Sequence, residues 1–203
     1  MKKIKILLLA TFVIAGMQSA YSQAELALGI KGGLNFANIN SSSAGAAFNS
    51  RTGYHAGAFL LVKLAKFGIQ PEVIFSQQGT TLKVSTQNLD QNFSYVNIPI
   101  IAKLYLIGGL NLQAGPQFGF LTSAKGETFN ISGVKTTEDI KSQFKGSDVS
   151  IGMGAGWDLP FGLSIDARYN LGITDNNNSS GSSSVKNQVF QASVGYKLFK
   201  FGK

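Results

Sequence analysis

Between Ala24 and Ala37, the residues Leu26, Leu28, Ile30, Gly32, Leu34 and Phe36 share one parity, and Ala27, Gly29, Lys31, Gly33, Asn35 and Ala37 share the other. A period of two puts these sets on opposite faces of a strand. Seven further stretches repeat the pattern, and the connections joining them alternate between very short and long. A soluble sandwich also alternates, but it must bury its apolar face. A barrel in a bilayer turns that face to lipid and encloses small, polar and charged side chains. The double alternation therefore predicts an all-β fold: an eight-stranded antiparallel transmembrane β-barrel, wound as an up-and-down meander.

The predicted strands cover 24–37, 54–64, 67–82, 93–106, 110–121, 149–158, 163–173 and 190–198. Ala65-Lys66, Ile107-Gly108-Gly109 and Pro160-Phe161-Gly162 read as tight turns. The segments 38–53, 83–92, 122–147 and 174–186 read as polar loops, the third long enough to carry its own hairpin. Pro71 falls on the apolar face of the third strand, where its missing donor predicts a bulge or a weakened pairing. Both ends of the barrel lie on the turn side, which is periplasmic in bacterial barrels, so the four loops are expected to face outward. Aromatic residues near the strand ends, Phe36, Tyr54 and Phe75 above and Phe67, Trp157 and Phe199 below, suit two interfacial belts. The 24 glycines suit the curvature of so small a barrel, whose interior admits side chains but no wide pore.

Residues 1–22 carry a basic start at Lys2, Lys3 and Lys5, an apolar run from Ile6 to Gly16, and a small-x-small end at Ala20-Tyr21-Ser22. This is the pattern of a cleaved secretory signal peptide, leaving 23–203 as one barrel domain. The apolar run is shorter than the about 20 residues of a membrane helix. The formal charge of +8 includes the three leader lysines, so the barrel carries about +5. Its basic residues are scattered singly, without a clustered patch or stacking motif, and no nucleic-acid partner is expected. Cysteine is absent, which excludes disulfides, thiolate metal sites and a cysteine nucleophile. Closure of a hydrogen-bonded ring supplies the stability instead, because unpaired backbone groups in a bilayer cost several kcal/mol.

Lys31, Lys63, Glu72, Lys103, Asp158, Asp166, Arg168 and Lys197 fall on the inner parity, and buried charges must be paired. We expect a lumen cluster centred on Arg168, with Asp166 and Glu72 as partners and Lys103 nearby, that fills and fixes the interior. No catalytic, cofactor or metal residue is expected. His55, the single histidine, has Tyr54, Ala56 and Gly57 as neighbours, without the Ser and acid of a hydrolase, and reads as a rim residue. Gly152, Gly154 and Gly156 form a GxGxG, but no helix follows to meet a pyrophosphate. Asp175, Asn177 and Ser179 imitate a calcium loop, yet Gly181 comes one position late and Lys186 stands where a Glu is needed.

Several segments carry a family resemblance: GIKGGLNFA at Gly29 to Ala37, IQPEVIFSQQG at Ile69 to Gly79, YVNIPIIAKLY at Tyr95 to Tyr105, AGPQFGFL at Ala114 to Leu121, DARYNLGIT at Asp166 to Thr174, and VGYKLF at Val194 to Phe199. Together they resemble the Bacteroidetes outer-membrane β-barrel family often called PorT-like. The resemblance implies a bacterial outer-membrane location, an OmpX/OmpA-like eight-stranded barrel, and contact with outer-membrane lipid and lipopolysaccharide. The chain departs from the pattern at its end, where Lys200 to Lys203 follow the aromatic Phe199.

The expected function is that of a non-enzymatic barrel with a plugged polar lumen. Its loops, 38–53 and 122–147 above all, would meet surface or secretion partner proteins or support envelope integrity. A narrow porin for small solutes and an accessory of protein secretion are the alternatives.

Overall fold

The computed structural model of the chain describes residues 24–41, 47–84, 87–129, 135–143, 145–174 and 185–202. The expected signal peptide lies outside them. Among the described residues there are nine strands: β1 (Ala24–Ser41), β2 (Ala47–Leu64), β3 (Phe67–Val84), β4 (Gln87–Tyr105), β5 (Leu110–Phe129), β6 (Lys135–Asp139), β7 (Ser147–Asp158), β8 (Leu163–Gly172) and β9 (Val185–Gly202). All pairings are antiparallel between neighbours. The order β4-β3-β2-β1-β9-β8-β7-β5 closes on itself through β4–β5, giving a ring of eight, with β6 paired to the upper part of β5.

Across the membrane-crossing part of the ring, strand phase follows the alternation. On β3, Phe67, Ile69, Val73 and Phe75 are exposed, whereas Gln70, Glu72, Ser76 and Gln78 are buried. The same inversion of the soluble rule holds on β8, where Ile165, Tyr169 and Leu171 face out and Ser164, Asp166, Arg168 and Asn170 face in. Backbone donors and acceptors find partners along the ring, as a lipid environment requires. Pro71 and Pro99 interrupt the β3–β4 ladder, which runs to Pro71↔Ile100 and resumes at Ile74↔Asn97 in the same register. The consequence of Pro71 is a weakened pairing without a bulge.

The loops are shorter than the composition suggested. β1 runs on to Ser41 and β2 begins at Ala47, so most of the segment 38–53 is strand. Likewise β3 and β4 extend into 83–92, β9 starts within 174–186, and β5 continues to Phe129. Crossing the bilayer takes about 9–11 residues of tilted strand, and the excess rises beyond it. There no lipid faces the strands, the apolar alternation lapses, and a paired strand is written in loop-like residues. Within 122–147, β5 and β6 form the expected hairpin, with Lys125↔Asp139 to Phe129↔Lys135 in register. A short 3-10 turn, Lys141–Gln143, follows it.

Candidate functional site

The inner face of the ring is the candidate site, and it is filled in layers. Nearest the turns, Lys103 lies 3.3 Å from Asp158, Lys197 lies 3.1 Å from Asp158 and 2.7 Å from Glu25, and Tyr105 donates to Asp158 at 3.0 Å. The Lys63 ammonium sits 4.0 Å over the ring of Tyr105. Beside this layer Ala27, Phe59 and Leu61 form a small apolar filling.

Midway up, β3 and β8 stand opposite each other, four strands apart in the ring. Arg168 reaches across the whole lumen and donates from both terminal nitrogens to the two oxygens of Glu72, at 2.9 and 3.1 Å. Glu72 also accepts from Gln70 at 2.8 Å and from Lys31 at 3.3 Å. Asp166 takes Lys31 at 2.9 Å, with Lys103 at 3.9 Å, and accepts from Gln113. Among the described residues no ion pair joins Asp166 to Arg168, although they are neighbours on one face of β8. Arg168 is extended toward the opposite wall, and Lys31 is the cation nearest Asp166. Gly195, paired with Lys31 on one side and Ser164 on the other, adds no side chain between β1 and β8.

The glycines of β7 serve the same end. Gly154 lies between Gln113 of β5 and Arg168 of β8, and Gly156 lies between Asn111 and Asp166. With no side chain at Gly154, Arg168 donates to Gln113 Oε1 at 2.9 Å across β7. A Cβ on Gly154 would overlap the Ala167 carbonyl, and one on Gly156 would overlap Asp166 and Gln113.

Toward the loops the filling is mainly uncharged, Asp148 apart. His55 is not a rim residue: it points inward, 3% exposed. Its Nδ1 lies 2.8 Å from Asn35 Oδ1 and its Nε2 lies 2.8 Å from Ser193 Oγ. Asn35 donates through Nδ2 to the carbonyls of Tyr54 and Gln77 and to Ser76, which fixes Oδ1 as the acceptor. Consequently Nδ1 of a neutral His55 carries the proton, and Nε2 accepts from the Ser193 hydroxyl. This is the hydrogen-bond order of a nucleophilic serine, its base and an orienting amide. Every member is at least nine-tenths buried, and Gln191 donates to Asn35 Oδ1 beside them. The sequence reading missed this line because Ser193 comes from a strand 138 residues away. It also passed over Glu25, which the parity of Lys31 places inside.

Among the described residues no group of three or more His, Cys, Asp or Glu side chains could hold a metal ion. A sequence model of the family described as outer membrane protein beta-barrel domain matches residues 18–178. Among solved structures, Neisserial surface protein A is similar over 84% of this chain and 97% of its own, with a TM-score of 0.54 at 12% identity. Ail, the attachment invasion locus protein of Yersinia pestis, solved with the heparin analogue sucrose octasulfate, is similar over 88% of this chain and 99% of its own, with a TM-score of 0.50 at 16% identity. At such identities the likeness is one of fold. No curated protein matches the chain.

Proposed function

Because the chain belongs to the outer-membrane β-barrel family, we propose that it is a non-enzymatic integral barrel whose lumen is closed by its own side chains and whose loop end engages partners outside the cell. The observation that carries the closed lumen is the Arg168–Glu72 pair, which spans the ring from wall to wall with both residues under 5% exposed. Charges buried this way are costly unless paired. Lys31, Arg168, Glu72 and Asp166 balance to zero, so the layer has no net charge to draw an ion through. Single-channel recording of the purified barrel in planar bilayers tests this reading. We expect no stepwise conductance, and clear steps would favour the narrow porin instead.

The outward-facing role is supported by strands β1 to β5 and β9, which have 18 to 20 residues and so rise well past the bilayer. The Ail structure holds a heparin analogue, and the Neisserial relative is a surface protein. By analogy we assign surface polysaccharide or partner proteins to the loop end of this chain. Crosslinking from the β5–β6 hairpin in living cells identifies them. We also hold that 1–22 is removed on export and that the chain is PorT-like. For the absence of enzyme activity, a fluorophosphonate probe is decisive: Ser193 is expected to stay unlabelled, and labelling that requires His55 would make the Ser193–His55–Asn35 line catalytic.

A further inference from the structure

Above the salt-bridged layer lies a small chamber lined by Gln78, Tyr95, Asn97, Gln117, Ser150 and Asn170, with Asp148 beside them. Its ceiling is apolar. Phe93, Tyr95, Leu121, Ala124 and Ile140 bury one another at the loop end of the lumen. Ile140 follows β6 and is tied down by its N–H, which donates to the Ala124 carbonyl at 3.0 Å, and its side chain lies over Gly126. Below, Asn170 donates to Gln191 at 2.7 Å, and Gln191 donates to Asn35 at 3.0 Å, which joins the floor to the His55 line.

Three of the lining side chains each have one polar atom without a partner: Asn97 Nδ2, Ser150 Oγ and Asn170 Oδ1. These residues are 2%, 6% and 3% exposed. Buried polar atoms are almost always satisfied, by protein or by ordered water. The space open to the centre of a water-sized sphere is about 10 Å³. One water needs roughly 10–15 Å³ by this measure, together with two to four polar partners.

The unpaired atoms also select the chemistry of the guest. Asn97 Nδ2 is a donor and needs an acceptor opposite it, which a metal cation is not. Asn170 Oδ1 is an acceptor and, with the Asp148 carboxylate nearby, disfavours an anion. A guest that both accepts and donates, no larger than one heavy atom, is required. We propose that the chamber is a binding site for one ordered water molecule, which accepts from Asn97 Nδ2 and donates to Ser150 Oγ or Asn170 Oδ1. The ceiling makes this water long-lived, and for that ceiling the proposal rests on the closed-lumen reading.

High-resolution diffraction from crystals of the full barrel, grown without and then soaked with rubidium chloride, tests it. The expected result is one density peak within about 2.7–3.2 Å of Asn97 Nδ2 and Ser150 Oγ, with no anomalous rubidium signal. An empty chamber, a rubidium peak, or an Asn97 amide turned to donate to Asp148 would each overturn it. In solution, Asn97→Leu puts an apolar side chain into the chamber. A long-lived water cross-peak to the Ser150 N–H is expected in the native protein and should vanish in this variant. If the native cross-peak is missing, the proposal fails. Conductance steps with the cross-peak intact would remove the closed-lumen reading and leave the water site standing.

Discussion

Replacing Arg168 by Met keeps roughly the length of the side chain and deletes its charge and donors. In the native barrel Arg168 gives two hydrogen bonds to Glu72 and one to Gln113. A hydrogen bond to a charged group contributes about 1.5–3 kcal/mol net, so the two to Glu72 put the loss near 3–6 kcal/mol. Removing one partner of a buried ion pair costs about 3–5 kcal/mol, and the two routes agree. Lys31 and Gln70 still hold Glu72 after the change, which favours the lower end, about 3 kcal/mol. Glu72→Gln alone strands Arg168 in the same way. Glu72→Gln with Arg168→Met restores a neutral layer, leaving Lys31 with Asp166. The double variant should therefore lose less than the sum of the singles, with a coupling of about 2 kcal/mol. Urea unfolding in lipid vesicles, followed by the fluorescence of Trp157, gives all four values; it is the chain's single tryptophan and faces outward at 46% exposure. Strictly additive losses, or a loss below about 0.5 kcal/mol for Arg168→Met, would mean that the pair behaves like a solvated surface bridge and that the closed lumen is mistaken.

Val73 is 56% exposed on the outer face of the ring. Val73→Arg should cost about 2–4 kcal/mol in the same unfolding assay, as a cation near the bilayer midplane does. Gly154→Leu should abolish the folded, heat-modifiable gel band, because its Cβ meets the Ala167 backbone and its side chain would displace Arg168 or Gln113. In the β5–β6 hairpin, Glu127 accepts from the Asp90 N–H at 3.1 Å and from Lys135 at 3.3 Å, and these contacts, the backbone bond foremost, hold its carboxyl below the usual glutamate range. A depressed carboxyl stabilises the folded hairpin above the ordinary value of 4.5, and this contribution disappears as pH falls through the lower folded value. A carbon-detected NMR titration should place the Glu127 midpoint below that of the urea-unfolded chain, and Glu127→Gln should remove the pH dependence of the hairpin in that window.

The membrane-crossing part of the fold was legible because lipid on one side and a packed lumen on the other impose a strict period of two. Phe67, Ile69, Val73 and Phe75 on one parity, with Gln70, Glu72 and Ser76 on the other, leave no other strand phase. The same parity assigns Lys31, Glu72, Asp166 and Arg168 to the interior. Above the bilayer the constraint lapses, which is why the strand ends at 38–41, 47–53 and 122–129 resembled loop. His55 was misplaced for a related reason: it lies just below that boundary, on the inner parity, and its Asn35 and Ser193 partners belong to other strands.

From the sequence alone came the ring of antiparallel strands, its outward apolar face and the inward set of charges, because these depend only on spacing along one strand. Tertiary structure decided which inward groups meet. Pairing depends on the stagger of the ring, on which strands stand opposite each other, and on where glycine leaves a path. Glu72 takes Arg168 from four strands away, while Asp166, two residues from that arginine, takes Lys31 from β1, two strands away. Partner choice of this kind is fixed by distances across the lumen, and no local pattern of residues records them.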